Sequence, residues 1–107
     1  MVKLTVNEEI CLIAVWHLKD EAYGVNIRQK VKELTGNWII LGTLYNMLEQ
    51  MMRKGYVTSR KGEPTSQRGG HNKVFYSLTR DGEAALEKAR ELHEKLWNSL
   101  PQNAFGG

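Results

Sequence analysis

Two groups of side chains have the types and spacing for recognition chemistry. The first lies in the run from Leu41, where Thr43, Tyr45, Asn46, Gln50, Arg53 and Lys54 are interleaved with apolar residues. On a helical wheel Leu41, Leu44, Leu48, Met51 and Met52 gather on one side, and Gly42, Thr43, Asn46, Gln50 and Arg53 on the other. An ordinary solvated face would carry Glu/Lys pairs there, but Glu49 stands off to one side. Asn and Gln pair bidentately with adenine, Arg pairs with guanine, and Thr meets a thymine methyl or a phosphate. The second group is basic: Arg53, Lys54, Arg60, Lys61, Arg68 and Lys73 against the lone acid Glu63. Six bases less one acid give +5, which leaves −2 for the rest of a chain whose net charge is +3. Charge concentrated in this way suits a polyanion partner. Between the bases, Thr65 to Asn72 contains no apolar residue, and Gly69-Gly70 beside His71 would let backbone N–H groups approach a phosphate.

Other chemistries find little support. His17, His71 and His93 fall in separate segments without metal-ligand spacing, and the Gly-rich loop lacks the Lys-Ser/Thr ending of a nucleotide-binding loop. No catalytic residue, metal site or cofactor is expected. Cys11, between Ile10 and Leu12, reads as a small buried hydrophobe, and a single cysteine allows no internal disulfide. No secretory signal is visible at the N-terminus, and no run approaches the ~18 apolar residues of a membrane span. A protein of the reducing cytoplasm is expected, with no membrane partner.

The elements that must hold these groups follow from capping and periodicity. The 107 residues allow one modest core. Thr5 and Glu8 have capping-box spacing before a helix over 6–18. That helix is apolar on two sides, Ile10, Ile13, Ala14 and Leu18 on one and Leu12, Val15 and Trp16 on the other, so a second subunit is expected to cover part of it. A second helix is predicted over 22–34, with Ile27, Val31 and Leu34 inward, Arg28 and Lys32 outward, and Gly36 as its left-handed cap. Trp38-Ile39-Ile40 reads as a brief strand or an apolar connector. The third helix spans about 41–54 and is closed by Gly55. Two strands, 56–61 and 73–78, flank the polar loop, with Val74, Tyr76 and Leu78 on one face. Thr79 or Asp81 caps a last helix that runs to Leu100 before Pro101. Its stripe of Ala85, Ala89, Leu92, Leu96 and Trp97 is near-heptad, the pattern of a helix–helix dimer. The fold class is therefore mainly α with a small β-hairpin, a winged helix-turn-helix. The expected division is a DNA-binding unit over 1–79, a dimerisation helix over 80–100 and a flexible tail over 101–107.

Gly42-Thr43-Leu44-Tyr45, Leu48, Gly55-Tyr56-Val57, Arg68-Gly69-Gly70, Lys73, Tyr76, Leu78-Thr79 and Gly82, with Tyr23-Gly24 upstream, resemble the PadR-like transcriptional regulators in order and spacing. The resemblance covers roughly 10–97, and the single long terminal helix is similar to the family's short subgroup. It implies a dimeric bacterial repressor on a pseudo-palindromic operator, often controlling detoxification or efflux genes, with the first and last helices forming the dimer. It also implies that Tyr45 and the polar face of the third helix meet DNA, and that Arg68-Gly69-Gly70 meets the backbone or minor groove. Ile40 departs from the family's capping Ser, and Asn46 from its frequent Pro.

Together these readings assign base contacts to Thr43, Asn46 and Gln50, with Tyr45 at the groove edge. Phosphate contacts fall to Arg53, Lys54, Arg60, Lys61, Arg68, Gly69, Gly70, His71 and Lys73, with Arg28 and Lys32 as further donors. The dimer interface is expected at Leu12, Val15, Trp16, Ala85, Ala89, Leu92, Leu96 and Trp97. Trp16 and Trp97 are the candidate platform for a small planar aromatic ligand between protomers. The partners are then double-stranded DNA, a second copy of the chain and such a ligand. The alternatives are a multidrug-type sensor with its ligand at the dimer interface, and a winged helix used only for protein contacts.

Overall fold

The computed structural model describes residues 3–62 and 73–106. Helix α1 (Val6–Leu18) starts at a complete capping box: the Glu8 amide donates to Thr5 Oγ1 at 3.1 Å, and the Thr5 amide to Glu8 Oε1 at 2.9 Å. A short 3₁₀ turn, Lys19–Glu21, leads to α2 (Gly24–Thr35), which ends where Gly36 adopts φ 79°. Helix α3 (Leu41–Arg53) follows, and Gly55 at φ 82° turns the chain into strand β1 (Val57–Lys61). Strand β2 (Val74–Leu78) pairs antiparallel with β1, in a register that sets Val57 opposite Leu78 and Lys61 opposite Val74. Helix α4 (Arg80–Asn98) is capped by Thr79, whose hydroxyl accepts from the Gly82 amide at 3.0 Å and donates to the Gly55 carbonyl at 2.6 Å.

One core unites the first three helices and the hairpin. Cys11, Leu12, Ile27, Leu44, Leu48 and Met51 are its fully buried large side chains, with Val57 and Tyr76 closing it from the sheet. The core corrects one expectation. Leu12 and Val15 are 0% and 2% exposed within a single protomer, so they have no surface to offer a partner. Their side of α1 is covered by the chain itself, and the large apolar side chains that the helix leaves outside are Val6, Ile13 and Trp16.

Two local features differ from or add to the sequence reading. The 38–40 segment is a connector rather than a strand, with Ile39 against the core and Trp38 and Ile40 exposed. In addition, Tyr23 bridges Phe75, and the Tyr76 amide donates to the Ala22 carbonyl at 2.8 Å, so the chain before α2 becomes a one-residue third strand on β2.

Helix α4 stands apart. Its first turn packs closely on the body, where Gly82 lies against the Tyr56 carbonyl, but every residue from Glu91 to Leu100 is exposed. The radius of gyration is accordingly 16.3 Å, above the ~13 Å of a compact chain of this length.

Candidate nucleic-acid interface

Helix α3 is amphipathic because its apolar residues recur at three and four. Leu44, Leu48 and Met51 are fully buried, while Gly42, Thr43, Asn46, Gln50 and Arg53 are all exposed on the solvent side. A Cβ at Gly42 would meet nothing within 4 Å, so the start of this face is open to close approach. Gln50 and Asn46 lie four residues apart, one turn of helix, and are the groups able to read base edges.

Tyr45, expected at the groove edge, also makes a contact that the sequence did not suggest. Its ring reaches back to α2, and a Cβ on Gly24 would lie 2.6 Å from Tyr45 Cζ. The ring is still half-exposed, but it bolts α3 to the start of α2. Only a glycine at position 24 leaves room for it. Arg28 holds the connector between the two helices, donating from Nε to the Ile39 carbonyl at 2.7 Å while its guanidinium lies 4.7 Å from the centre of the Trp38 ring. Lys32 lies over the same ring at 5.8 Å and donates to the Gly36 carbonyl. These two cations, separated by one turn of α2, are the nearest thing to a signal for that arrangement; the Trp38 partner is invisible to spacing.

The candidate phosphate contacts are not equivalent. Lys54 Nζ is 2.8 Å from Glu8 Oε2, a carboxylate 5% exposed in its side chain, so this ammonium is already committed to the core of the fold. Lys54 is therefore a structural cation more than a free phosphate ligand. Arg53 pairs with Glu49 at 2.9 Å in an exposed i,i+4 contact, which costs little to exchange for a phosphate. Arg60 stacks over Phe75 at 4.5 Å and Lys73 over Tyr23 at 4.2 Å, so aromatic rings set the direction of both cations. Lys61 is exposed at the end of β1. Arg68, Gly69, Gly70 and His71 lie outside the described residues.

The candidate interface and ligand residues fall along two open grooves beside α4. Ala85, Ala89 and Leu92 line one of about 490 Å³, together with Leu4 and Tyr56. Trp16 lines the other, of about 500 Å³, with Ile13, Leu78, Leu86 and His93. Leu96 and Trp97 line neither groove; Trp97 is 65% exposed on the projecting part of α4. Trp16 and Trp97 therefore do not share a cavity within one protomer. Between the grooves His93 Nε2 meets Glu9 at 2.9 Å, tying α4 to α1 across 84 positions of sequence. No local pattern could have revealed that pair. Among the described residues no three His, Cys, Asp or Glu side chains converge as a metal site, and no helix is long and apolar enough to cross a membrane.

Burial also settles the chemistry of Cys11. Loss of solvent, and secondarily the Glu8 carboxylate, push its thiol up to about 12, so no reactive thiolate exists near neutrality.

Comparison with known structures agrees with this fold. A PadR-like transcription factor from Bacteroides fragilis superposes with a TM-score of 0.71 at 27% identity, over 85% of this chain and 84% of that one. A PadR family transcription regulator from Clostridium difficile gives 0.66 at 26% identity, over 86% and 95%. BpsR of Bordetella bronchiseptica, whose DNA binding is regulated by 6-hydroxynicotinic acid, shares the fold at 0.68 with 23% identity, over 98% of this chain and 67% of that one. No curated protein sequence matches the chain. The sequence model of the transcriptional regulator PadR-like family matches residues 13–88, the span from the middle of α1 to the middle of α4. The chain belongs to the PadR-like family of transcriptional regulators.

Proposed function

We propose that this protein is a homodimeric repressor that acts in the cytoplasm and binds a pseudo-palindromic DNA operator with two copies of α3. The exposed face of α3 carries the reading, because Gly42, Thr43, Asn46 and Gln50 form a small, uncharged, hydrogen-bonding strip over a buried apolar side. Base contacts fall to Thr43, Asn46 and Gln50. Arg53, Arg60, Lys61 and Lys73 neutralise phosphates, with Arg28 and Lys32 flanking them and Arg68, Gly69, Gly70 and His71 assigned to the same task. Phosphate contacts set register and affinity, and the α3 contacts set sequence. Two protomers joined through α4 would set their α3 helices about 34 Å apart, one turn of DNA.

Selection of bound sequences from a random pool, followed by titration in salt, tests the reading. A palindromic consensus is expected. With about four phosphates neutralised per protomer, the slope of log K against log salt should be near −7, from about 0.9 per phosphate. A slope near zero, or no consensus, would falsify it.

A ligand response is a second reading, favoured by the half-exposed Trp16 on the wall of a 500 Å³ groove. The related fold of BpsR responds to an aromatic acid. In this chain a planar aromatic ligand would stack on Trp16 and on Trp97 brought up by the second protomer. Titration with planar dyes should quench tryptophan fluorescence and release DNA, and Trp97→Ala should weaken both effects. Quenching that is absent, or indifferent to that change, removes the reading.

A further inference from the structure

We infer that Ile40 is a specificity residue, reading the 5-methyl group of a thymine at the edge of each half-site. The inference rests on the DNA-binding reading above and extends its contact set from polar to apolar recognition.

Ile40 occupies the N-cap of α3, with φ −65° and ψ 132°, and contributes no side-chain hydrogen bond to the helix. Ser, Thr, Asp and Asn are the residues that stabilise a helix from this position, because their side chains accept from the first free amides. An isoleucine forgoes that, and here it does not pack instead. It is 73% exposed, whereas Leu44, Leu48 and Met51 of the helix it precedes are wholly buried. Its neighbour Ile39 supplies the apolar contact with the core.

The placement is firm. The Leu44 amide donates to the Ile40 carbonyl at 3.0 Å, and Arg28 holds the Ile39 carbonyl at 2.7 Å. Trp38, the other exposed apolar residue of the connector, already has Arg28 and Lys32 over its ring. The Ile40 side chain instead stands out in solvent, and the first turn it introduces is open at Gly42. The N-terminal residues of a reading helix are those that meet base edges. The only apolar group that a base pair presents in the major groove is the thymine methyl. A branched aliphatic chain at that point therefore complements thymine and leaves the polar edges of the other bases without a partner.

The test uses the full-length protein and the operator it selects. Each thymine is replaced singly by deoxyuridine, which removes the methyl and keeps every hydrogen-bonding group. Affinities are measured at fixed salt for the wild type and for Ile40→Ala. At one thymine per half-site the wild type should bind uracil about fourfold more weakly, the worth of one buried methyl. Ile40→Ala should bind thymine and uracil there alike, while its responses at the other positions match the wild type. Thermal unfolding of Ile40→Ala should match the wild type, since the side chain is exposed. The inference is overturned if no thymine is sensitive in the wild type, or if the sensitive thymine remains so in Ile40→Ala. Both outcomes leave operator binding intact, whereas a protein that selects no DNA sequence overturns the DNA-binding reading along with this inference.

Discussion

Glu8 does two jobs through its two carboxylate oxygens. One closes the capping box with Thr5, and the other holds Lys54 at the far end of α3, so the start of α1 and the end of α3 share one buried carboxylate. Burial alone would raise its pKa, but the hydrogen bonds from Lys54 and the Thr5 amide outweigh that and hold it below the usual 4.5. A carboxylate depressed in the folded state binds its proton more readily when unfolded, so it adds stability above the ordinary carboxylate range. That contribution should be complete at neutral pH and disappear as the pH falls through the lowered value. Glu8→Gln should cost about 2 kcal/mol at pH 7, the worth of hydrogen bonds to a buried charge. The penalty should shrink when urea midpoints are compared at about pH 3. An equal penalty at both pH values would mean that packing, not charge, accounts for the residue. The capping half of this arrangement is legible as Thr-x-x-Glu; the ion pair is not, because its partner is 46 residues away.

At the scale of elements the joint between the hairpin and α4 is closely built. Thr79 spans it with two hydrogen bonds, and Gly82 lets the helix approach the Tyr56 backbone, whose Cα would lie 3.3 Å from an added Cβ. Here the obstacle is peptide backbone, which cannot swing aside. Gly82→Ala should therefore destabilise the protein by about 2 kcal/mol through overpacking, and displace α4 relative to the body. Gly24→Ala is the informative contrast, since the group in its way is the end of a side chain, Tyr45, that is already half-exposed. It should cost less stability than Gly82→Ala but lower operator affinity, because the ring that fixes α3 on α2 must leave. Urea unfolding and DNA titration of the two variants separate these effects.

For the molecule as a whole the decisive feature is the projecting half of α4. Leu92, Leu96, Trp97 and Leu100 are 41%, 55%, 65% and 41% exposed in one protomer. Apolar surface of this kind, on a helix reaching out of a molecule 57 Å long, is what a second copy would cover. Leu96→Glu should yield a folded monomer by sedimentation, with an unchanged helical spectrum. The same variant should lose the pseudo-palindromic preference while keeping weak, salt-sensitive binding, because each wing and reading helix stays intact. A variant that remains dimeric would move the interface to the grooves nearer the body.

Local physics is enough to read most of this molecule. Capping at Thr5 and Thr79, left-handed glycines at 36 and 55, and the three-and-four spacing of Leu44, Leu48 and Met51 each depend on residues within a turn or two. The hairpin, the order of the elements and the amphipathic third helix are therefore visible in the sequence by itself. The same reasoning could not decide which side of a doubly apolar helix faces its own core. Periodicity marks Leu12 and Val15 as apolar, and only the packing of α2, α3 and the sheet shows that the protomer covers them and leaves Ile13 and Trp16 outside. Nor could it find the Glu8–Lys54 and Glu9–His93 pairs, the Tyr23 bridge to β2, or Tyr45 against Gly24. Each joins residues distant in sequence, and distance along the chain carries no record of which side chains the fold will bring into contact.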